Sequence, residues 1–321
     1  MQTIIMMPIY EDWDAAIQLC QQIDFQMQAV PSLQTSILLV DDFSTSAIPP
    51  QNLPFQPKSV QKISVLLLRR NLGHQRAIAV GLCYLLQHGV ADALMVMDAD
   101  GEDKPEDIGK LFAAMQQEGK PVAVFAERGR RFESLSFQFL YHCYRVMHRC
   151  LTNRDIRFGN FSVLPWSYLQ SLATFPELWN HYAATVIKSR LPYVRVRSDR
   201  AKRLAGRSRM NFVSLVVHGL SALFANQEVV GTRLLVVNLL MILGLIIGVC
   251  TVFAVKFFTH LAIPGWATTT MGLLLILIGQ SLIASVILVF STMMNRSQLG
   301  FLPVRDYAYF VRQETTLYPD N

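Results

Sequence analysis

Asp98 and Asp100 stand two residues apart directly after the apolar run Ala93–Met97, with Glu102 and Asp103 close behind. Two carboxylates so spaced at a strand end can converge on one hard cation, Mg²⁺ or Mn²⁺, that keeps waters and takes its remaining ligands from a diphosphate. Glu102 or Asp103 can add a third protein oxygen. A solvated acidic turn also carries this pattern by chance, so its weight comes from the ends of the other apolar runs. After Thr3–Met7 come Pro8, Tyr10, Glu11 and Asp12; after Ile37–Val40 come Asp41 and Asp42; after Ser64–Leu68 come Arg69, Arg70 and Asn71. Ligands of open parallel sheets bind beyond the carboxyl ends of the strands, so one cleft would hold all four groups. No G-x-G-x-x-G follows the first run and no G-x-x-x-x-G-K-[ST] is present, which argues against a dinucleotide redox cofactor and a P-loop.

The elements that must position these groups are short β-rich runs separated by helical spacing. Asp14–Met27, Gln75–Gln87 and Pro105–Gln117 carry apolar residues at helical period, and Pro105 sits where a first turn tolerates proline. With Val122–Phe125 as a fifth strand, this alternation predicts a mostly parallel sheet covered by helices. Pro49, Pro50, Pro54 and Pro57 mark a loop within it.

The 321 residues are 52% hydrophobic and only 16% charged, too apolar for an ordinary soluble enzyme. The excess gathers after Arg233: Leu234–Val255 and Met271–Met294 are uncharged runs long enough to cross a hydrocarbon core. Arg233 precedes them, Arg296, Arg305 and Arg312 follow, and Lys256 alone lies between, which places both ends in the cytoplasm. The start of the chain shows no signal-peptide pattern. Asn211–Gln227 reads as a helix lying at the membrane interface or, equally in keeping with its apolar spacing, as a core helix. Charge is segregated: residues 1–127 hold 8 Lys and Arg against 15 Asp and Glu, residues 128–210 hold 16 against 4, and the remainder holds 5 against 4. A basic segment beside apolar spans points to phosphate groups at a membrane surface; it lacks the aromatic interleaving of a nucleic-acid platform, so nucleic acid is not expected. Five scattered cysteines without C-x-x-C support neither a disulfide scaffold nor a zinc site. His142, His148, His181 and His218 show no metal-ligand spacing.

Taken in order, P-I-Y-E-D (Pro8 to Asp12), L-V-D-D-F-S (Leu39 to Ser44), R-N-L-G-H-Q (Arg70 to Gln75) with A-x-x-x-G-L (Ala77 to Leu82), and M-D-A-D-G-E-D (Met97 to Asp103) resemble family 2 glycosyltransferases of the GT-A fold, nearest the polyisoprenyl-phosphate branch. G-N-F-S-V-L (Gly159 to Leu164), the basic R-x-x-x-x-x-G-x-S-R (Arg200 to Arg209), the two spans and Y-F-V-R-Q (Tyr309 to Gln313) extend the resemblance over nearly the whole chain.

The resemblance implies an α/β GT-A domain, Rossmann-like with a mostly parallel sheet, at residues 1–210. It is followed by an interfacial helix at 211–232, a two-helix transmembrane hairpin at 233–295 and a cytoplasmic tail at 296–321. It implies inverting, Mg²⁺- or Mn²⁺-dependent transfer of a sugar from a nucleoside diphosphate to a polyprenyl phosphate, at the cytoplasmic face of a cell membrane. Pro8, Tyr10, Glu11, Asp41, Asp42, Asn71, His74 and Asp98 would bind the nucleotide sugar. Asp98, Asp100 and Glu102 would take the metal, with Asp98, Asp100 and Asn160 as the catalytic candidates. Arg128, Arg203, Arg207 and Arg209 would grip the acceptor phosphate. The lipid bilayer is the implied partner, and a homo-oligomer is left open. Three departures stand out. Phe43 replaces the small residue, usually glycine, after the paired aspartates, and Glu11 replaces a usual asparagine. Asn160 and Ser162 stand where some relatives carry Asp and Arg. These departures keep a second reading open, that of a catalytically impaired scaffold or regulator.

Overall fold

The computed structural model describes residues 1–45, 53–128, 146–147, 149–152, 158–199, 201–205, 227–259, 263–297 and 301–319. The elements run β1 (Gln2–Ile9), α1 (Trp13–Met27), β2 (Gln34–Asp41), β3 (Val60–Leu68), α2 (His74–His88), β4 (Ala93–Val96), α3 (Ile108–Gln117), β5 (Ala123–Arg128), β6 (Phe158–Pro165), α4 (Ser167–Leu172), α5 (Tyr182–Ser189), β7 (Tyr193–Ser198), α6 (Gln227–Phe258), α7 (Trp266–Ser297), α8 (Pro303–Asp306) and β8 (Val311–Tyr318). Two compact units arise from them, one comprising Met1–Tyr141, Asp155–Ala225 and Phe301–Asn321, the other His142–Arg154 and Asn226–Gly300.

In the first unit the strands form one sheet in the order β7-β5-β6-β4-β1-β2-β3-β8. The neighbours β4, β1, β2 and β3 are parallel, as the βαβ alternation predicts. Both flanks depart from it. β6 runs antiparallel to β4 and to β5, β5 pairs parallel with β7, and β8 closes the other edge antiparallel to β3. The sheet is therefore mixed α/β, with the mostly parallel expectation met in its centre. The segment expected as a tail returns as β8, held by Lys62 Nζ (3.0 Å) and Tyr84 Oη (2.6 Å) donating to the Glu314 carboxylate.

Central parallel strands are covered on both faces and read as continuous apolar runs. One face packs Ala16, Leu19, Ile23 and Met27 of α1 with Leu111 and Phe112 of α3. The other packs Ala77, Ile78, Val80 and Leu82 of α2 with Tyr182 and Val186 of α5. Gly81 explains the A-x-x-x-G-L pattern: a Cβ there would lie 2.4 Å from Met6 Sδ and 2.8 Å from Val40 Cγ2, so α2 meets the sheet at a distance only glycine allows.

In the second unit α6 and α7 form an antiparallel hairpin. Glu228–Phe258 and Trp266–Met293 are each long and apolar enough to cross a membrane; an 18-residue stretch of each has a mean hydropathy of 2.7 and is 6% buried. The helices are tied by Asn238 Nδ2, which donates to Ser281 O and Ser285 Oγ at 2.8 Å each. Polar ties of this kind join helices whose outer faces are uniformly apolar. Most of the expected interfacial helix lies outside the described residues, and Gln227–Thr232 is continuous with α6.

Candidate active site

Because β1 to β4 run parallel, the turns following them emerge at one edge of the sheet. Two of these turns interlock. The N–H of Asp42 donates to Ile9 O at 2.8 Å. Glu11 N–H donates to Ser44 Oγ at 2.8 Å, and Ser44 Oγ–H and N–H donate to Asp41 Oδ1 at 2.5 and 3.1 Å. Thr45 N–H and Oγ1–H donate to Glu11 Oε1 at 2.6 and 3.0 Å. Glu11 (φ 58°) and Phe43 (φ 64°) both adopt the left-handed backbone region. Those are the positions where the resemblance has asparagine and glycine, the residue types that enter this region most readily. The turn geometry is thus present with less suited side chains, and the Glu11 hydrogen bonds offset part of that cost. Burial raises the pKa of Asp41, against the hydrogen bonds from Ser44.

Asp42, expected at the nucleotide, makes its hydrogen bonds within the fold. Its oxygens accept Leu72 N–H and Gly73 N–H, both at 2.7 Å, and it is buried. It braces the end of β2 against the N-terminus of α2, where Gly73 takes φ 90°. Burial pushes its pKa to about 6, against those two N–H donors and His74 and with the charge of Asp41 adding.

The antiparallel pairing of β6 with β4, in register Val96↔Ser162, brings Asn160 across from Asp98. Asn160 Nδ2 lies 2.9 Å from His74 Nε2 and 3.5 Å from Asp98 Oδ1, and His74 Nε2 lies 3.2 Å from the same carboxylate oxygen. On the far side of the amide, Gln75 Nε2 donates to Asn160 Oδ1 at 3.1 Å, while Tyr182 N–H donates to Gln75 Oε1 at 2.8 Å. A backbone donor therefore orients Gln75, which orients Asn160 with its NH₂ toward Asp98. Desolvation lowers the His74 pKa, but the charge and hydrogen bond of Asp98, with Asp100 and Asp103, outweigh it and raise the value overall.

Asp103 Oδ2 accepts Asp98 N–H at 2.9 Å and Asp100 Oδ1 accepts Glu102 N–H at 3.0 Å, which shapes the acidic turn. Residues 201–205 lie across it: Leu204 N–H donates to Asp100 O, Ala201 N–H donates to Glu102 O, and Gly101 (φ 81°) faces Leu204 with no room for a Cβ. Arg203 thereby pairs with Asp12 and, at 3.3 Å, with Asp100 Oδ2. Burial raises the Asp100 pKa, helped by the charge of Asp98 and opposed by the Glu102 N–H and by Arg203. Crowded carboxylates of this kind suit a cation. Among the described residues no three His, Cys, Asp or Glu side chains gather as a metal cage. Asp98 and Asp100, with Glu102 next along the turn, are the carboxylates that would meet a Mg²⁺ or Mn²⁺ here, a hard cation that takes its remaining ligands from water and a diphosphate.

The structure thus brings together Asp98, Asp100, Asn160 and His74, with Asp41, Glu11 and the half-exposed Tyr10 on the adjoining turns. Pro8 is buried within β1 opposite Val40, where it shapes the strand end. Asn71 is exposed in the loop before α2. Arg203, expected at the acceptor, lies against Asp12 and Asp100. The side chain of Arg128 and the whole of Arg207 and Arg209 lie outside the described residues. Gln75 and Tyr182 were missed; Gln75 sits inside the R-N-L-G-H-Q motif, but its task requires the position of α5.

The sequence profile described as Glycosyl transferase family 2 matches residues 5–167, just over half of the chain. The chain belongs to glycosyl transferase family 2. This family 2 chain is 28% identical over 127 residues to the undecaprenyl-phosphate 4-deoxy-4-formamido-L-arabinose transferase of Klebsiella pneumoniae subsp. pneumoniae. That match covers 40% of the chain and 37% of the length of the relative. Among solved structures, glucosyl-3-phosphoglycerate synthase from Mycobacterium tuberculosis, bound to Mn²⁺, UDP-glucose and phosphoglyceric acid, aligns at TM-score 0.48 and 13% identity over 72% of this chain and 80% of that one. A mannosyltransferase from Pyrobaculum calidifontis, bound to GDP-Man and Mn²⁺, aligns at TM-score 0.43 and 13% identity over 93% and 88%.

Proposed function

We propose that this family 2 protein transfers a sugar from a nucleoside diphosphate to a polyprenyl phosphate at the cytoplasmic face of a membrane, with inversion at the anomeric carbon. The observation that carries the reading is the Asp98–Ala99–Asp100 turn at the end of β4 with Asn160 oriented beside it. Family membership, the partial similarity to an undecaprenyl-phosphate transferase and the apolar hairpin support it.

Asp98 and Asp100 would hold Mg²⁺ or Mn²⁺, and that cation would supply positive charge toward the leaving diphosphate. Arg203, beside Asp100, adds a positive charge on the same side. The acceptor phosphate has a second pKa of about 6 and arrives largely dianionic at neutral pH, so its oxygen attacks C1 without a general base. Asn160 is a neutral amide and takes no proton; with its carbonyl held by Gln75, its NH₂ orients a sugar hydroxyl or a phosphate oxygen. Arg128, Arg207 and Arg209 remain the acceptor-phosphate residues of this proposal, suited by the paired donors of guanidinium. The α6–α7 hairpin holds the lipid at the membrane, and the flanking arginines put both ends in the cytoplasm.

Purified protein, a panel of UDP- and GDP-sugars and undecaprenyl or dolichyl phosphate test it, with lipid products read by mass spectrometry. One glycosylated lipid phosphate is expected. A folded protein that binds donor and Mn²⁺ yet turns over no pair in the panel would replace the enzyme with the scaffold reading.

A further inference from the structure

Phe43 is an anomaly that the chemistry above does not use. Its backbone is left-handed (φ 64°), a region in which Cβ crowds the carbonyl and which bulky side chains rarely enter. Glu11, equally left-handed, is held there by the bonds to Ser44 and Thr45. No such bond exists for a phenyl ring, and Phe43 belongs to neither hydrophobic core among the described residues, with 40% of its surface exposed. Glycine would adopt the same backbone without strain. Strain of this type persists where a side chain serves a ligand.

The surroundings indicate which ligand. The register Ile9↔Asp41 and the hydrogen bond from Asp42 N–H to Ile9 O set the turn carrying Phe43 beside the turn carrying Tyr10. Tyr10 is likewise exposed, at 42%. Two aromatic side chains thus stand on adjoining turns at the carboxyl ends of β1 and β2, fixed in relation to each other by the Glu11 clasp. We propose that Phe43 is the second aromatic wall of the donor's nucleobase site, with Tyr10 as the first, and that the base stacks against it. This rests on the reading that the cleft takes a nucleoside diphosphate sugar. The Glu11 clasp makes the site preformed: it holds both turns before the base arrives.

The test compares wild type with Phe43→Gly and Phe43→Trp in the full-length, detergent-solubilised protein. Isothermal titration calorimetry measures UDP and GDP, with ribose 5-phosphate as a competitor that lacks the base. Phe43→Gly should keep or raise the Tm while weakening whichever nucleotide binds by roughly ten- to a hundredfold, the range of base–aromatic stacking. Phe43→Trp should restore affinity to within about threefold, and ribose 5-phosphate should compete equally with all three. Unchanged nucleotide affinity in Phe43→Gly, or an equal loss for ribose 5-phosphate, would overturn the assignment by showing a ring without contact to the base or a merely disordered turn. Wild type that binds no nucleoside diphosphate, with Mn²⁺ present, would overturn the donor reading itself and this wall with it.

Discussion

Asp42 links the site's electrostatics to measurable stability. Its carboxyl is raised from 3.8 to about 6, first by burial, while the N–H groups of Leu72 and Gly73 and the charge of His74 pull it down and Asp41 adds to the rise. A shift of about two pH units is worth about 3 kcal/mol. The sign follows from proton counting. Between pH about 4 and about 6 the folded protein keeps a proton at Asp42 that the unfolded chain has released, so stability falls as pH rises. The contribution is fully present below the unfolded value and lost as pH passes the folded value. Asp42→Asn removes the titration. Its single carbonyl cannot accept both N–H donors at 2.7 Å, at a cost of about 1–3 kcal/mol, so absolute stability at pH 7 changes little while the pH slope does. The assay is the apparent Tm of the purified protein and its variant between pH 4 and 7. For a domain of this size each kcal/mol moves Tm by about 2–4 °C, so wild type should lose about 6–12 °C more than the variant across the range. Parallel curves would refute the claim that a buried, braced carboxylate at this position resists ionisation.

Asp100→Ala should cut transfer by at least about a hundredfold while leaving the fold intact, because it relieves crowding with Asp98 and leaves Arg203 paired with Asp12. Full activity at saturating donor and limiting Mn²⁺ would remove Asp100 from the metal site. Asn160→Asp should lower kcat less than about tenfold, since it sets a negative charge where an amide nitrogen now lies 3.5 Å from Asp98. A hundredfold gain with a new carboxylate limb in the pH profile would instead reveal a missing base. A cysteine placed at Pro264 in a Cys-free variant should react with an impermeant reagent in intact cells, and one near Asn321 should not. The reverse pattern would invert the topology.

The central strands were legible because each is an apolar run of strand length between helices of clear period, and their parallel pairing follows from that alternation. Strands β7 and β8 were not: Tyr193–Ser198 and Val311–Tyr318 lie at the sheet edges and are rich in polar residues. The pairing of β8 with β3 spans most of the chain, so nothing local in the sequence announces it.

The site divides in the same way. Residue type and strand-end position were enough to put Asp98, Asp100, Asp41 and Tyr10 together at one edge of the sheet, since parallel strands deliver their trailing residues there whatever else the fold does. The tertiary structure alone decided what each group faces. It turned Asp42 inward to the α2 backbone, placed Arg203 against Asp12 and Asp100, and oriented Asn160 through Gln75 and Tyr182. Side-chain chemistry and spacing are written in one dimension, whereas the site's hydrogen-bond partners come from antiparallel pairing and loop crossings between residues up to 191 positions apart. The left-handed backbone at Glu11 and Phe43 was likewise hidden, because neither residue type signals a conformation that only the packing of two interlocked turns imposes.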